Sequence, residues 1–415
     1  MITKTAQSIK EVVTSGLCIG CGLCEAVTAG RVPMKMTDYG SLRPTPADAF
    51  TPQEEAQLLS ACPGVVAEPR VQTDANADPI WGAYTSMRYA WAGDADLRFR
   101  AATGGVLSAL GVHLLKSGKA QFILHVGVDP DRPVRNRWIM SETVEDVIAN
   151  SGSRYSPTAP LAGLMIALER NEPFAMIAKP CDLGAVHRLA QTDPRINKLC
   201  IARLIMVCGG QSRHKKSADV LTEYGVTEDE VTLFRYRGYG NPGRTRIETK
   251  DGRAFEKTYQ ELWENEASWG LETRCKLCPD ALGEAADISA ADVWPGGGPS
   301  GEDAGFNGII VRSPAGEALV ESAVKAGDLI LGDFITPRQF DTLQPHQVRK
   351  KEALSARFSG LTESGFPAIS TIGLRLEELG QRLDQDKRQK EIEGTKRRVQ
   401  EGRIGEPLPA KNSND

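Results

Sequence analysis

Apolar and polar positions along this chain switch between two periods, with glycine and proline at the changes. In TGGVLSALGVHLLKSGKA the apolar side chains Val106, Leu107, Leu110, Leu114 and Leu115 recur three and four apart, which predicts a helix ended by Gly118. QFILHVGV follows as a short apolar run, the signature of a buried strand. EPFAMIAKPCDLGAVHRLA gives a strand at Met176, Ile177 and Ala178, a turn at Lys179-Pro180-Cys181, and a helix over Leu183 to Leu189. CIARLIMVCGG repeats the plan, with Cys200 before a strand that runs into Cys208-Gly209-Gly210. Strands alternating with helices predict the fold class α/β (α+β). Near the end, Ile372, Leu376, Leu379 and Leu383 form one helical stripe. The sequence QDKRQKEIEGTKRRVQEGRIGEPLPAKNSND after it is charged and poor in apolar residues, and predicts an exposed helix fraying into disorder.

Composition narrows the classes. The 415 residues are 40% hydrophobic and 25% charged, enough for real cores. A net charge of −4 gives no whole-protein argument for nucleic-acid binding. No stretch approaches the roughly 20 apolar residues of a membrane span, and MITKTAQSIKEVV has no apolar signal core, so the expected location is the cytoplasm. Nine cysteines in such a chain point to metal, redox chemistry or plain burial rather than to a disulfide framework.

Their spacing carries the chemistry. Cys18, Cys21 and Cys24 read C-x2-C-x2-C, and the remote Cys62 precedes Pro63, the vocabulary of bacterial ferredoxin runs. Each iron at a cubane corner takes one thiolate, a tight loop supplies three, and Gly20 and Gly22 let backbone approach the sulfides. Zinc is the rival, but a third cysteine at this spacing is surplus for a two-thiol knuckle. With no second cysteine set nearby, the head is expected to be a one-cluster, ferredoxin-like module over residues 1–70, followed by AEPRVQTDANADP as a polar linker.

Other candidates lie further on. The Thr103-Gly104-Gly105 helix start presents free N–H groups to an anion such as phosphate, although a tight turn is the plainer reading. GSRYSP, residues 152–157, is a turn or a nucleotide contact. Cys181 and Cys208 fall at the carboxyl ends of neighbouring strands, where open α/β sheets bind ligands. Cys275 and Cys278 form a lone C-x2-C that needs two partners, and Cys181 and Cys208 are the ones left; Cys200 reads as an ordinary buried cysteine. His187 reads as a helix-surface residue.

The stretches CIGCGLC, TGGVLSALGVHLL, GSRYSP, KPCDLGAVHRL, MVCGG, FRYRGYGNPG and RCKLCPD…ADISAADVW occur in an order that resembles the beta-subunit family of coenzyme F420 hydrogenases and dehydrogenases. The resemblance spans residues 15–375 and is closest to the two-cluster branch containing 7-hydroxymethyl chlorophyll a reductase and ferredoxin-dependent divinyl chlorophyllide 8-vinyl reductase. It implies FAD and two 4Fe-4S clusters. Cys18, Cys21, Cys24 and Cys62 would take the first cluster and Cys181, Cys208, Cys275 and Cys278 the second. FAD would lie near Thr103, Gly104, Gly105, Gly152, Ser153, Arg154 and Tyr155, with Arg237 of FRYRGYGNPG facing flavin or substrate, or else belonging to an arginine-rich surface hairpin. Lys179 and Asp182 flank Cys181 where relatives commonly differ, so no substrate is inherited. The expected divisions are 1–70, the ferredoxin-like module; 71–170 and 171–375, the two parts of an FAD-binding catalytic domain, the second holding the second cluster; and 376–415, a charged tail.

Clusters carry one electron and flavin two, so the resemblance implies an iron–sulfur flavoprotein oxidoreductase passing electrons between ferredoxin, or a similar one-electron carrier, and a small organic substrate. The alternative is an electron-transfer beta subunit of a larger hydrogenase or dehydrogenase complex, working on a deazaflavin coenzyme. A partner subunit or a homo-oligomer fits either reading. No catalytic residue is singled out: Asp182, Asp280 and Asp287 are proton-donor candidates by position alone, with capping or ion-pair roles the simpler reading.

Overall fold

The computed structural model of the protein describes residues 4–71, 76–299 and 301–408. Its centre is an eight-stranded mixed sheet of β1 (Ser86–Ala92), β2 (Phe122–Val128), β3 (Asn136–Ser141), β4 (Phe174–Ala178), β5 (Cys200–Met206), β6 (Ile288–Asp292), β7 (Asn307–Val311) and β8 (Leu329–Phe334), in the order β8-β1-β7-β6-β5-β4-β2-β3. The inner strands β2, β4, β5 and β6 are parallel, and antiparallel pairs close both sides. The fold is α/β, as the alternation of elements predicts.

Side chains alternate across the inner strands and build a layer on each face. Ile123, Ala175, Leu204, Ile288 and Ile309 pack under the helices Val106–Lys116 and Pro314–Lys325. Phe122, Leu124, Phe174, Met176 and Ile205 face the other way, onto the helix Pro180–Leu189 and onto Ile9, Ile19, Leu23 and Leu58 of the head. Val12 and Leu17 of the head join a third core with Ile310, with Leu354 and Leu361 of the helix Pro345–Glu363, and with Leu379 of the tail. Head, sheet and tail therefore share their apolar cores. A smaller antiparallel sheet, Val231–Arg235, Thr245–Thr249 and Ala254–Lys257, has its own core around Phe234, Tyr236 and Ile247.

Several local expectations are revised. Lys179 and Asp182 cap a helix that starts at Pro180, so Cys181 lies on its first turn and not in the preceding turn. Cys200 is the first residue of β5 rather than a residue before it. The end of the linker forms the first strand of a short hairpin, Asn76–Asp78 against Gly82–Tyr84; residues 72–75 of the linker lie outside the described residues. Only Leu376–Gly380 of the expected stripe is helical: Gly373, at φ +72°, turns the chain before it, and Ile372 is exposed.

The charged tail also differs from a fraying end. The helix Gln385–Gln400 lies along Pro345–Glu363, so closely that a Cβ on Gly360 would sit 2.6 Å from the Ile392 carbonyl oxygen. Past it, Ile404 is buried, and Glu406 enters a dry ion-pair network. Arg43 donates to Glu406 from Nε and Nη2 and to Glu272 from Nη2, each at 2.8 Å, with the Arg43 and Glu272 side chains fully buried. Few apolar residues and one buried carboxylate anchor the segment, a signal that mean composition dilutes. Residues 409–415 of the tail lie outside the described residues. No helix among the described residues is long and apolar enough to cross a membrane.

Removing one member of a buried ion network leaves the others charged and dry, at about 3–5 kcal/mol. Arg43→Ala should destabilise the protein by that order, read from the denaturant midpoint. Arg195→Ala, which breaks a half-exposed pair with Asp193, should stay within about 1 kcal/mol of the parent.

Candidate functional site

β4, β5 and β6 run parallel with their ends in step: Ile205 pairs Ala178, and Met206 pairs Ala290. The residues just beyond them are therefore neighbours. Lys179, Cys208, Asp292 and Trp294 all border one cavity of about 310 Å³. This is the carboxyl end of the parallel strands, where α/β sheets take their ligands.

Most residues singled out from sequence reach this cavity. Thr103, Gly105, Gly152, Ser153, Arg154, Tyr155 and Arg237 line it. Gly104 stands just behind, its N–H donating to Asn307 Oδ1 at 3.1 Å. A longer bond from the Val106 N–H, at 3.4 Å, reaches the same oxygen, so Asn307 satisfies two of the donors at this helix start. Thr103 and Gly105 both have positive φ, at +60° and +71°, which folds the loop tightly against the sheet.

Asp292 organises the wall. One carboxylate oxygen accepts from the Thr103 hydroxyl, and the other pairs with Arg237 Nη1 at 2.8 Å. Arg237 also donates to Thr103 Oγ1 at 3.1 Å, and its guanidinium lies over the Trp294 and Tyr259 rings at 4.9 and 5.3 Å. Burial works against the Arg237 charge, but Asp292 and Tyr155 outweigh it, and the proton is held more firmly than usual. Arg237 is thus a buried cation on the cavity wall, not a surface hairpin residue. Arg154 is committed elsewhere: its guanidinium donates to Asn136 Oδ1 and to the carbonyls of Phe234, Pro133 and Arg135, tying the small sheet to β3. It lines the cavity as a strut, with few donors left for a ligand.

The cysteines fall into two groups and one outlier. Cys18, Cys21, Cys24 and Cys62 lie close enough to feel one another's charge. Burial raises all four thiols, Cys62 to about 12. The Gly64 N–H points at Cys62 Sγ, 3.4 Å away. Cys181, Cys208, Cys275 and Cys278 open together on a small cavity of about 20 Å³. Burial pushes Cys275 up to about 12, and the Gln211 N–H donates to its Sγ at 3.2 Å. Cys200 is apart, buried at the start of β5, its thiol facing the Ala202 carbonyl oxygen at 3.8 Å. As the side chains stand, no group of three or more His, Cys, Asp or Glu among the described residues is arranged to hold a metal ion.

The two cavities adjoin. Lys179, Cys208 and Gly210 border both. Ile19, between Cys18 and Cys21, borders the smaller one, so the loop carrying the first cysteine group reaches the cavity of the second. Lys179 Nζ is 2.9 Å from Asp182 Oδ2.

The aspartates singled out by position have structural partners. Asp182 caps its helix, Asp280 accepts from the N–H groups of Leu282, Gly283 and Glu284, and Asp287 accepts from Arg70 and Ser313. His187 is partly buried beside Glu68 at 3.7 Å. Sequence reasoning missed Asn307, Asp292, Tyr259, Gln344 and His346 on the cavity wall; only Asp292 stood inside a quoted motif, ADVW.

Two family models match in tandem. Residues 87–165 match the coenzyme F420 hydrogenase/dehydrogenase beta subunit N-terminal region, and residues 171–336 match its C terminus. The chain belongs to the coenzyme F420 hydrogenase/dehydrogenase beta-subunit family. It is similar to the F420-dependent formate dehydrogenase 1 subunit beta of Methanococcus maripaludis, 27% identical over 58% of this chain and 60% of that one. It is 24% identical to the coenzyme F420-dependent sulfite reductase of Methanocaldococcus jannaschii over 75% of this chain and 46% of that protein, so it spans less than two thirds of either relative. It covers 98% of the coenzyme F420 hydrogenase subunit beta of Methanococcus voltae at 24% identity over 69% of this chain. The fold matches a chain of the F420-reducing [NiFe] hydrogenase complex of Methanosarcina barkeri, with TM-score 0.50 and 19% identity over 67% of this chain and 95% of that one.

Within this family member the cavity histidines are held neutral by burial. His125, whose Nε2 is 2.7 Å from Ser141 Oγ, is lowered to about 4, and His346 also to about 4. The unfolded chain binds the His125 proton near pH 6.5 and the folded chain only near pH 4. The stabilisation from keeping His125 neutral is complete above about pH 6.5 and is lost as pH falls toward 4, by roughly 3 kcal/mol in all. His125→Gln should remove about one proton from the acid-linked unfolding in that window, measured as the pH slope of the unfolding free energy against the parent.

Proposed function

We propose that the protein is an iron–sulfur flavoprotein electron-transfer unit of an oxidoreductase, exchanging single electrons with a protein partner and two with a deazaflavin-type organic coenzyme. The observation that carries this is the shared wall between the large cavity and the second cysteine group, made by Lys179, Cys208 and Gly210. The relatives are F420-linked oxidoreductases and, for the most part, subunits by name, which favours this reading over a self-contained ferredoxin-dependent enzyme.

The donor chemistry supports these groups. Eight thiols in two sets of four, each with a backbone N–H aimed at a sulfur, form a donor set for two cubanes. Cys18, Cys21, Cys24 and Cys62 would hold one, and Cys181, Cys208, Cys275 and Cys278 the other; this doubling is what supports the two-cluster branch. FAD would occupy the large cavity, where Thr103, Gly105, Gly152, Ser153 and Tyr155 would line its site and Arg237 would supply a cation for its phosphates. When bound, these groups convert one-electron into two-electron chemistry. The chain's own part is positional: Asp292 fixes Thr103 and Arg237, and the rings of Tyr155, Tyr259 and Trp294 supply apolar wall.

Anaerobically reconstituted protein should show a flavin spectrum over a broad brown absorbance and bind about eight irons per chain. Cys200→Ser should leave that iron content unchanged, whereas Cys62→Ser should lose about half of it and keep the flavin. Colourless protein, or iron lost with Cys200, would sink the assignment.

The path has an expected polarity. Cys21→Ala should abolish flavin reduction by a one-electron protein donor in stopped-flow while direct photoreduction of the flavin survives. Wild-type rates with the protein donor would show that the head does not admit electrons. Co-purification with a stoichiometric catalytic partner distinguishes a subunit from an enzyme that turns over alone.

A further inference from the structure

Arg274 stands between the two cysteine groups. Its side chain is 2% exposed, and Nε and Nη2 both donate to the Pro63 carbonyl oxygen, at 2.9 and 2.7 Å. Pro63 follows Cys62 directly, so this fork grips the backbone of the first group. The same guanidinium borders the small cavity shared by Cys181, Cys208, Cys275 and Cys278. Its charge is felt on both sides, by Cys62 in one group and by Cys278, Cys181 and Cys275 in the other.

What balances that charge is informative. Three of the buried cations here have carboxylates: Arg43 has Glu272 and Glu406, Lys179 has Asp182, and Lys351 has Glu284; Arg312 instead donates to Ser289 Oγ and to the carbonyls of Trp81, Ala83 and Leu282. Among the described residues Arg274 forms no carboxylate ion pair; beyond its bonds to the Pro63 carbonyl, it faces the thiols around the small cavity. A buried cation without a counter-charge costs several kcal/mol. Neutral thiols do not supply one; thiolates bound to a metal centre do.

We propose that Arg274 is a positioning residue shared by the two thiol-ligated centres, raising the reduction potential of each. This rests on the two-cluster reading above. Each centre takes up one electron from a one-electron donor, with no bond made or broken. The reduced centre is more negative than the oxidised one by one charge, and a fixed cation beside it stabilises the reduced form more. One cation placed between two centres moves both potentials in the same direction.

The test is a redox titration of the full reconstituted chain, followed by electron paramagnetic resonance, on the wild type, Arg274→Gln and Arg274→Lys. Arg274→Gln keeps a donor for the Pro63 carbonyl and loses the charge; Arg274→Lys keeps the charge and loses the fork. In Arg274→Gln the reduced-to-oxidised ratio at a fixed potential should fall about tenfold at both centres, a shift of about 59 mV to more negative values. In Arg274→Lys both centres should stay near wild type. Arg274→Met repeats the loss of charge without any donor, and the Gln and Lys pair decides the matter alone if it fails to fold. Equal potentials in the Gln and Lys variants, or a shift at one centre only, overturn the proposal and leave Arg274 as a clamp on Pro63. Wild-type protein without two iron–sulfur signals would instead overturn the cluster reading itself, an outcome visible before any variant is made.

Discussion

Parallel pairing of β4, β5 and β6 in step is the constraint on which the site depends. Strands that run the same way and end at the same level deliver the next residue of each chain segment to one edge of the sheet. Here those residues are Lys179 with Cys181 after β4 and Cys208 after β5, beside Asp292 at the end of β6. A shift of β5 by one residue would turn Ile205 away from its core and carry Cys208 away from Cys275 and Cys278. The apolar alternation that builds the two cores is therefore also what aligns thiols and cavity.

Around that edge the chain uses long-range ties where local structure cannot reach. Asp292 joins Thr103 and Arg237, which lie 189 and 55 residues from it along the chain. Gln347, from the helix Pro345–Glu363, donates to the Cys208 carbonyl at 3.0 Å and steadies the loop after β5. Buried polar groups of this kind need every partner in place, since one unpaired member costs more than the pair contributes. The wall of the large cavity is accordingly one connected unit rather than a set of independent side chains.

How much of this was legible depends on the range of each interaction. Cys18, Cys21 and Cys24 announce themselves because their geometry is local, and the strand–turn–helix at Met176 to Leu189 shows in periodicity alone. Cys62 needed only the proline after it. Arg154 looked like a ligand contact because its motif is polar and small, yet its guanidinium is taken up by carbonyls from segments 18 to 80 residues away. Asn307 and Glu406 left no signal, since nothing in their neighbours' sequence shows that one caps a helix 201 residues away in sequence or that the other meets Arg43 at 363. Composition misjudged the tail for a related reason: Ile392, Ile404 and Glu406 anchor it with three side chains amid exposed charge.

The head's packing bears on how electrons could enter. A ferredoxin-like module on a linker suggests a part that swings to meet a donor. Three ties oppose that motion: Val66–Ala67 pairs as a strand with Ser370–Thr371, Arg274 grips the Pro63 carbonyl, and Arg43 holds Glu406. Ile9, Leu23 and Leu58 also share a core with the sheet strands, and releasing the head would expose that apolar surface to water. The distance between the two cysteine groups is thus set by the same packing that stabilises the chain. On the proposed reading, a protein donor would approach a fixed face of the head. Entry would then be governed by docking on that face rather than by the reach of a linker, and the tail, through Glu406 and Arg43, is part of what holds the face in place.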